Sequence, residues 1–218
     1  MSSPRKVLVW DLPTRLFHWL LVVLVITAYV SVKIGGNAMR LHMLSGYAVL
    51  ALLLFRLVWG FIGGWHARFS SFISGPRAII AYLGQMMKKD GKKHLGHNPL
   101  GGWSVVFMLI ALLVQTGTGL FANDEIATTG PLADRVAEST SLLLTRIHRI
   151  NEWVIIALVA THFAAILFYF FYKKDNLVRP MIWGTKIWDE DARDGHASSI
   201  KAAVILAAAA TAVYFGIR

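Results

Sequence analysis

The stretch HRINEWVIIALVATH, residues 148–162, begins and ends on histidine and is apolar through most of its second half. Fourteen positions separate His148 from His162. At about 100° per residue they subtend roughly 1400°, about 40° short of four turns, so both imidazoles project from nearly one helix face. A rise of roughly 1.5 Å per residue sets them about 21 Å apart along the axis. The hydrocarbon core of a bilayer is about 30 Å thick, so one histidine falls near each membrane surface. Ionisable side chains inside a span are costly and mark functional sites. The pattern predicts two stacked redox centres, one per leaflet.

The rest of the chain supports a membrane setting. Of its 218 residues 56% are apolar, and the mean hydropathy of +0.55 is high for a soluble domain. Apolar runs at 16–32, 41–62, 103–121, 153–172 and 202–217 are each near spanning length, the last being the shortest and alanine-rich from Ala207 to Ala210. The first run is too long for a cleavable signal and no small-residue cleavage motif follows it, so it is expected to stay as an anchor. The absence of cysteine excludes disulfides, zinc–thiolate and iron–sulfur sites and covalent haem attachment.

A net charge of +10 raises the question of nucleic acid, but the basic residues follow a membrane pattern. Segments 1–15, 63–100 and 173–201 carry three, six and six Lys/Arg, against two in 33–40 and three in 123–149. The positive-inside rule then places the N-terminus in the cytoplasm and, after five spans, the C-terminus outside. No nucleic-acid partner is expected; membrane lipid is.

Helix boundaries are marked. Asp11-Leu12-Pro13 offers a capping acid and a first-turn proline for the first span, expected to run to about Lys33. Gly35-Gly36-Asn37 makes a tight turn, and the second span runs from about Met39 to Gly63-Gly64. Residues 66–95 read as an amphipathic surface segment, basic at Lys88, Lys89, Lys92 and Lys93. The third span follows Gly96-His97-Asn98-Pro99, and the fourth is expected from about Ser141 to Lys174. Trp19, Trp59, Trp65, Trp103, Tyr169 and Tyr172 are expected as an interfacial aromatic belt.

Four histidines lie in spans and sort by depth: His18 with His162 near the inner leaflet, His42 with His148 near the outer. Two imidazoles fill both axial positions of haem iron, which favours electron transfer over oxygen binding. A helical bundle supplies facing side chains for such a cofactor. The alternative is that these histidines make interhelical hydrogen bonds. Gly46, one turn after His42, permits close approach of a porphyrin or of a neighbouring helix, and Gly117 and Gly119 allow the same two readings. Arg56, fourteen residues after His42, either pairs with a haem propionate or snorkels to headgroups. Arg15 and Arg40 are placed as propionate partners or interface anchors. His66, His94, His97 and His196 lie in loops and are expected to be solvated.

Several of these residues together resemble a family. Arg15-Leu16-Phe17-His18-Trp19, Arg40-Leu41-His42 with Gly46 and Arg56, Gly96-His97-Asn98-Pro99-Leu100-Gly101, and His148 with His162 are similar to the bacterial cytochrome b561 family. The similarity is nearest to its branch containing the b-type cytochrome subunit of nickel–iron hydrogenases, and it covers roughly residues 7–185. It implies a four-helix di-haem core, two haem b groups with bis-histidine ligation, exchanging electrons between a periplasmic redox partner and membrane quinone. The family ligand pattern falls on His18, His42, His148 and His162. The alanine-rich fifth helix departs from four-helix members and bears on partner and homo-oligomer arrangement.

The resulting expectation is an all-α membrane protein: a four-helix transmembrane di-haem bundle over residues 1–185, then a link and fifth transmembrane helix over 186–218. It would sit in the bacterial inner membrane as an electron carrier more than a stand-alone enzyme. The outer loop 123–143 has Asp124, Glu125, Asp134 and Glu138 against Arg135, which suits docking of a periplasmic c-type cytochrome or hydrogenase-like subunit. Two rivals are a quinone-coupled oxidoreductase acting on a small oxidant such as superoxide, and a non-redox membrane protein with structural histidines.

Overall fold

A computed structural model of the chain describes residues 4–88, 93–126, 128–189 and 191–218. Eight helices run along them: α1 Leu12–Ile34, α2 Met39–Ile62, α3 Phe69–Phe72, α4 Pro76–Met86, α5 Pro99–Gly119, α6 Glu138–Phe171, α7 Val178–Trp183 and α8 Ser199–Gly216. Among the described residues, α1, α2, α5, α6 and α8 are long and apolar enough to cross a membrane. The all-α multi-span architecture, with its fifth apolar helix, is therefore present. Val23, Leu143, Phe163 and Phe215 are among the many exposed apolar side chains on these helices, the composition of a surface that meets acyl chains.

The chain divides into two compact units. One comprises residues 1–16, 57–107 and 158–202; the other comprises 17–56, 108–157 and 203–218. In the first, a feature absent from the sequence reading appears: strand β1 Arg5–Leu8 pairs antiparallel with β2 Thr185–Trp188, Arg5 opposite Trp188 and Leu8 opposite Thr185. The expected boundary after residue 185 falls inside β2. Asp194 fastens the pair, accepting the Leu8 N–H at 2.8 Å and the Arg5 guanidinium at 3.2 Å. Those two donors hold its carboxyl below the usual value of 3.8. Gly184 ends α7 with φ of 84°, and its carbonyl accepts from Val9 at 2.8 Å and Trp10 at 3.1 Å.

Asp11 does more than cap. Its Oδ1 accepts the Thr14 N–H at 2.7 Å, while Oδ2 accepts from Gly64 N at 3.0 Å and Trp59 Nε1 at 3.2 Å. The carboxylate is 3% exposed, so these donors replace its water. A Cβ at Gly64 would collide with this carboxylate and with the Gly195 carbonyl, which leaves no room for a side chain there. Trp59 is 1% exposed, a correction to its place in the expected lipid-facing belt. Tyr169 likewise turns inward, hydrogen-bonded to Tyr82 and Asn98, whereas Tyr172 reaches the Met87 carbonyl at 2.6 Å and Trp103 the Ser74 carbonyl at 2.9 Å.

The expected amphipathic segment 66–95 contains α3 and α4, with Pro76 in the first turn of α4. Lys89 and Lys92, part of its expected basic end, lie outside the described residues. His97 is not solvated as expected: its ring packs 4.7 Å from both Trp10 and Phe72. His66 is held by the Arg193 carbonyl at 2.8 Å. In the second unit, Val49, Leu52, Leu53, Phe55, Leu109 and Leu112 form the buried apolar centre. There α6 begins three residues before its expected start, with Glu138 in a first turn whose free N–H groups favour an acid. Its 34 residues make a helix of about 51 Å, far longer than the bilayer core.

Candidate functional site

Four helices meet around two histidines in the second unit. His42 of α2 and His148 of α6 have ring centroids 6.1 Å apart at an interplanar angle of 80°. The Nδ1 of His42 lies 2.9 Å from the Ala28 carbonyl of α1, and the Nδ1 of His148 lies 2.9 Å from the Gln115 carbonyl of α5. A carbonyl only accepts, so each Nδ1 carries the proton and each Nε2 keeps its lone pair. That tautomer is the one a metal-ligating imidazole needs when its other nitrogen is fixed by a second partner. The interhelical hydrogen bonds of the structural alternative are thus real, but they occupy only the Nδ1 side.

The spacing can be tested against haem. Two imidazoles on opposite sides of one metal, each bonded at about 2 Å with the ring centre about 1.1 Å beyond the nitrogen, have centroids about 6.2 Å apart. The distance of 6.1 Å fits. A Cβ added at Gly46 or Gly117 would meet nothing within 4 Å, so both glycines border open space. Gly119 differs, since its Cβ would stand 3.0 Å from His148 Cε1. The glycines therefore differ: Gly119 packs against the histidine ring, whereas Gly46 and Gly117 have no protein atom against them. Among the described residues no three His, Cys, Asp or Glu side chains gather as a metal cluster.

Polar residues not singled out in the sequence hold this arrangement. Asn151, 9% exposed, donates to the Ala111 carbonyl and to Gln115 Oε1, both at 2.8 Å. It thereby fixes the turn of α5 whose Gln115 carbonyl receives His148. Thr118 Oγ1 lies 3.3 Å from His148 Nδ1. Lys33 and Glu152 join α1 to α6 through an ion pair of 2.6 Å. The available signal was Asn151 itself, an amide one turn after His148 on the same helix.

The other expected site residues are placed as follows. Arg40 is exposed, two positions before His42. Arg56 is 3% exposed and does not snorkel to headgroups. His18 belongs to the same unit, half-buried and edge-on to Trp19 at 4.9 Å. Arg15 and His162 belong to the other unit. Arg15 Nη1 donates to the Ile182 carbonyl at 2.6 Å, while its buried Nε has no protein acceptor among the described residues. An orphaned guanidinium donor suits an anionic group such as a propionate. His162 is half-buried.

A multi-span helical protein with paired imidazoles between its spans has the features of a membrane haem protein. Comparison of the sequence with known proteins agrees. The profile of prokaryotic cytochrome b561 matches residues 9–184, and the chain belongs to that family: it is a b-type, haem-binding membrane cytochrome of electron transport. Its relatives include the probable Ni/Fe-hydrogenase B-type cytochrome subunit of Azotobacter chroococcum mcd 1, 26% identical over 89% of this chain and 94% of that protein. The corresponding protein of Azotobacter vinelandii is 25% identical with the same coverage. The probable Ni/Fe-hydrogenase 1 B-type cytochrome subunit of Escherichia coli K12 is 25% identical over 81% of this chain and 88% of its own length. No solved structure matches the chain.

Proposed function

We propose that this cytochrome holds two b haems by bis-histidine ligation, one at His42 and His148 and one at His18 and His162, and carries electrons between a periplasmic redox partner and membrane quinone. The first pair rests on one observation above all: rings 6.1 Å apart whose Nδ1 atoms are both directed to backbone carbonyls. The second pair rests on matched depth in the sequence. Haem iron at these positions supplies one-electron transfer. The protein's part is to hold the imidazoles still: the carbonyls of Ala28 and Gln115 fix ring orientation, and Asn151 fixes Gln115. Arg15, through its Nε, is proposed to pair with a propionate, as are Arg40 and Arg56.

The partner is proposed to be a hydrogenase-like subunit or a c-type cytochrome, the former in line with the printed names of the relatives. Glu125, Asp134 and Glu138 are exposed and give it an acidic docking surface. Asp124 serves the loop itself, its Oδ1 accepting from Ile126 N at 3.0 Å and Thr128 N at 2.8 Å. An open depression of about 560 Å³ beside it is lined by Arg149, the neighbour of His148. The distribution of Lys and Arg supports an inner-membrane orientation with a cytoplasmic N-terminus.

The test is pyridine haemochrome against protein concentration, with redox titration of four variants. We expect about two haems per chain, His42→Ala and His148→Ala removing one spectral component and His18→Ala and His162→Ala the other. A stoichiometry near one, or one component lost in both His42→Ala and His18→Ala, refutes the assignment. Charge reversal at Glu125, Asp134 and Glu138 should slow electron exchange with the partner at low salt and leave both haem spectra unchanged.

A further inference from the structure

Along one face of α6 the side chains change character in the order in which a membrane surface does. Leu142, Arg146, Arg149, Ile150 and Trp153 follow one another at helical spacing. At about 100° per residue they fall within an arc of roughly 100°, whose centre points about 150° away from His148. The two arginines stand at the edge of the apolar run that begins at Trp153, which lies about 10 Å further along the axis than Arg146. Ile150 and Trp153 are 56% and 69% exposed. Charge, then indole, then aliphatic side chains is the sequence of a helix passing from headgroups to acyl chains.

All five residues line the open depression of about 560 Å³, a volume within the roughly 300–1,000 Å³ range of small-molecule sites. Its other wall is the loop 123–125, held against α6 where Asn123 N donates to Thr145 Oγ1 at 2.9 Å. Arg146 and Arg149 share the depression with Glu125, yet no ion pair joins them among the described residues. Neither guanidinium donates to a protein acceptor there, and neither does the Trp153 indole N–H. Opposite charges that do not neutralise each other complement a ligand that carries both. A guanidinium is a planar fork suited to phosphate, a carboxylate takes an ammonium, and an indole N–H donates to an ester carbonyl. An anionic lipid brings no cation for Glu125, and a quaternary ammonium has no proton to donate to it.

We propose that this face of α6 binds one phospholipid with a primary-ammonium headgroup, of the phosphatidylethanolamine type. Its phosphate accepts from Arg146 and Arg149, its ammonium donates to Glu125, and an ester carbonyl accepts from Trp153 Nε1. The acyl chains continue along Ile150 and Trp153. The site stands apart from the paired histidines and needs no redox partner.

The experiment uses the full-length haem-loaded protein in neutral detergent, with native mass spectrometry to count bound lipid during titration. No redox partner is present, so the result is separate from that of the acidic docking surface. Three probes are compared: dioleoylphosphatidylethanolamine, dioleoylphosphatidylcholine and dioleoylphosphatidylglycerol. Phosphatidylethanolamine should occupy one saturable site. The Arg146→Gln, Arg149→Gln double variant should bind it about tenfold more weakly, roughly 1.4 kcal/mol shared between two exposed charged contacts. Glu125→Gln should lower its affinity about fivefold, to that of phosphatidylcholine, and leave phosphatidylcholine binding within about twofold. Lys6→Gln with Lys201→Gln removes the same charge elsewhere on the surface and should leave binding within about twofold. Phosphatidylcholine binding as tightly as phosphatidylethanolamine removes the ammonium contact and overturns the proposal. Tighter binding of phosphatidylglycerol makes the site one for anions and overturns it too, as do equal losses in the two double variants. Unchanged haem spectra in the Arg146, Arg149 and Glu125 variants show that lost binding is not lost folding.

Discussion

Replacing Gly46 with alanine should have opposite consequences with and without haem. The added Cβ meets no protein atom within 4 Å, so it strains nothing in the polypeptide. Alanine inside a helix is favoured over glycine by roughly 0.5–1 kcal/mol. At about 2–4 °C per kcal/mol for a chain of this size, that raises the unfolding temperature by about 1–4 °C where no haem occupies His42 and His148. The same open space is the one proposed for the porphyrin, so with haem the gain should vanish at alanine and turn to loss at leucine. The assay compares Gly46→Ala and Gly46→Leu in the parent chain and in a His42→Ala, His148→Ala background, reading thermal unfolding and haem content. We expect Gly46→Leu to lose the haem held by His42 and His148 while the other spectral component persists. A Gly46→Leu protein with full haem content and an unaltered spectrum would refute the reasoning, because the space beside His42 would then be vacant for another purpose.

Other outcomes can be checked with little more than variants and spectra. Asp11→Ala strips the acceptor from Thr14 N, Gly64 N and Trp59 Nε1, and at about 1–3 kcal/mol per buried orphan should cost roughly 3–9 kcal/mol, visible as a large fall in the unfolding midpoint. The depressed pKa of Asp194 means that its clamp contributes fully above the unfolded value of 3.8 and is lost as pH falls below it. The protection factor of the Leu8 amide, its exchange measured against the intrinsic rate at each pH, should therefore fall in acid, with Asp194→Asn abolishing that pH response. Reporter fusions after Lys93 and Lys186 should be cytoplasmic and those near Thr129 and after Arg218 periplasmic; a cytoplasmic C-terminus would mean that α8 does not span.

The long helices were legible because membrane spans announce themselves by length, and Asp11 because a capping acid before proline is a local signal. His42 and His148 were legible as a pair from depth alone. What fixes them was not, since Ala28 and Gln115 act through backbone carbonyls that any residue type carries. Trp59 was misjudged because proximity to a helix end says nothing about which face a side chain occupies. The β1–β2 pair was invisible for a different reason: four residues, two of them charged, carry too little pattern to suggest a strand, and the partner lies at the far end of the sequence. The acidic loop was legible in composition, but the division of labour between Asp124, which shapes it, and Glu125, which is exposed, was not.

That far-end pairing has a consequence for biogenesis. β1 leaves the ribosome first, and β2 follows about 180 residues later. At roughly 5–20 residues per second the first strand waits about 10–40 s for its partner. Throughout that interval Val7 and Val9, 0% and 1% exposed in the finished protein, are without the cover that buries them. An unpaired strand edge is a template for wrong pairing, and Arg5 and Lys6 on the waiting strand provide the charge that discourages it. A neutral tag fused directly ahead of β1, or neutral residues in place of Arg5 and Lys6, would therefore damage yield during insertion more than it damages the assembled cytochrome.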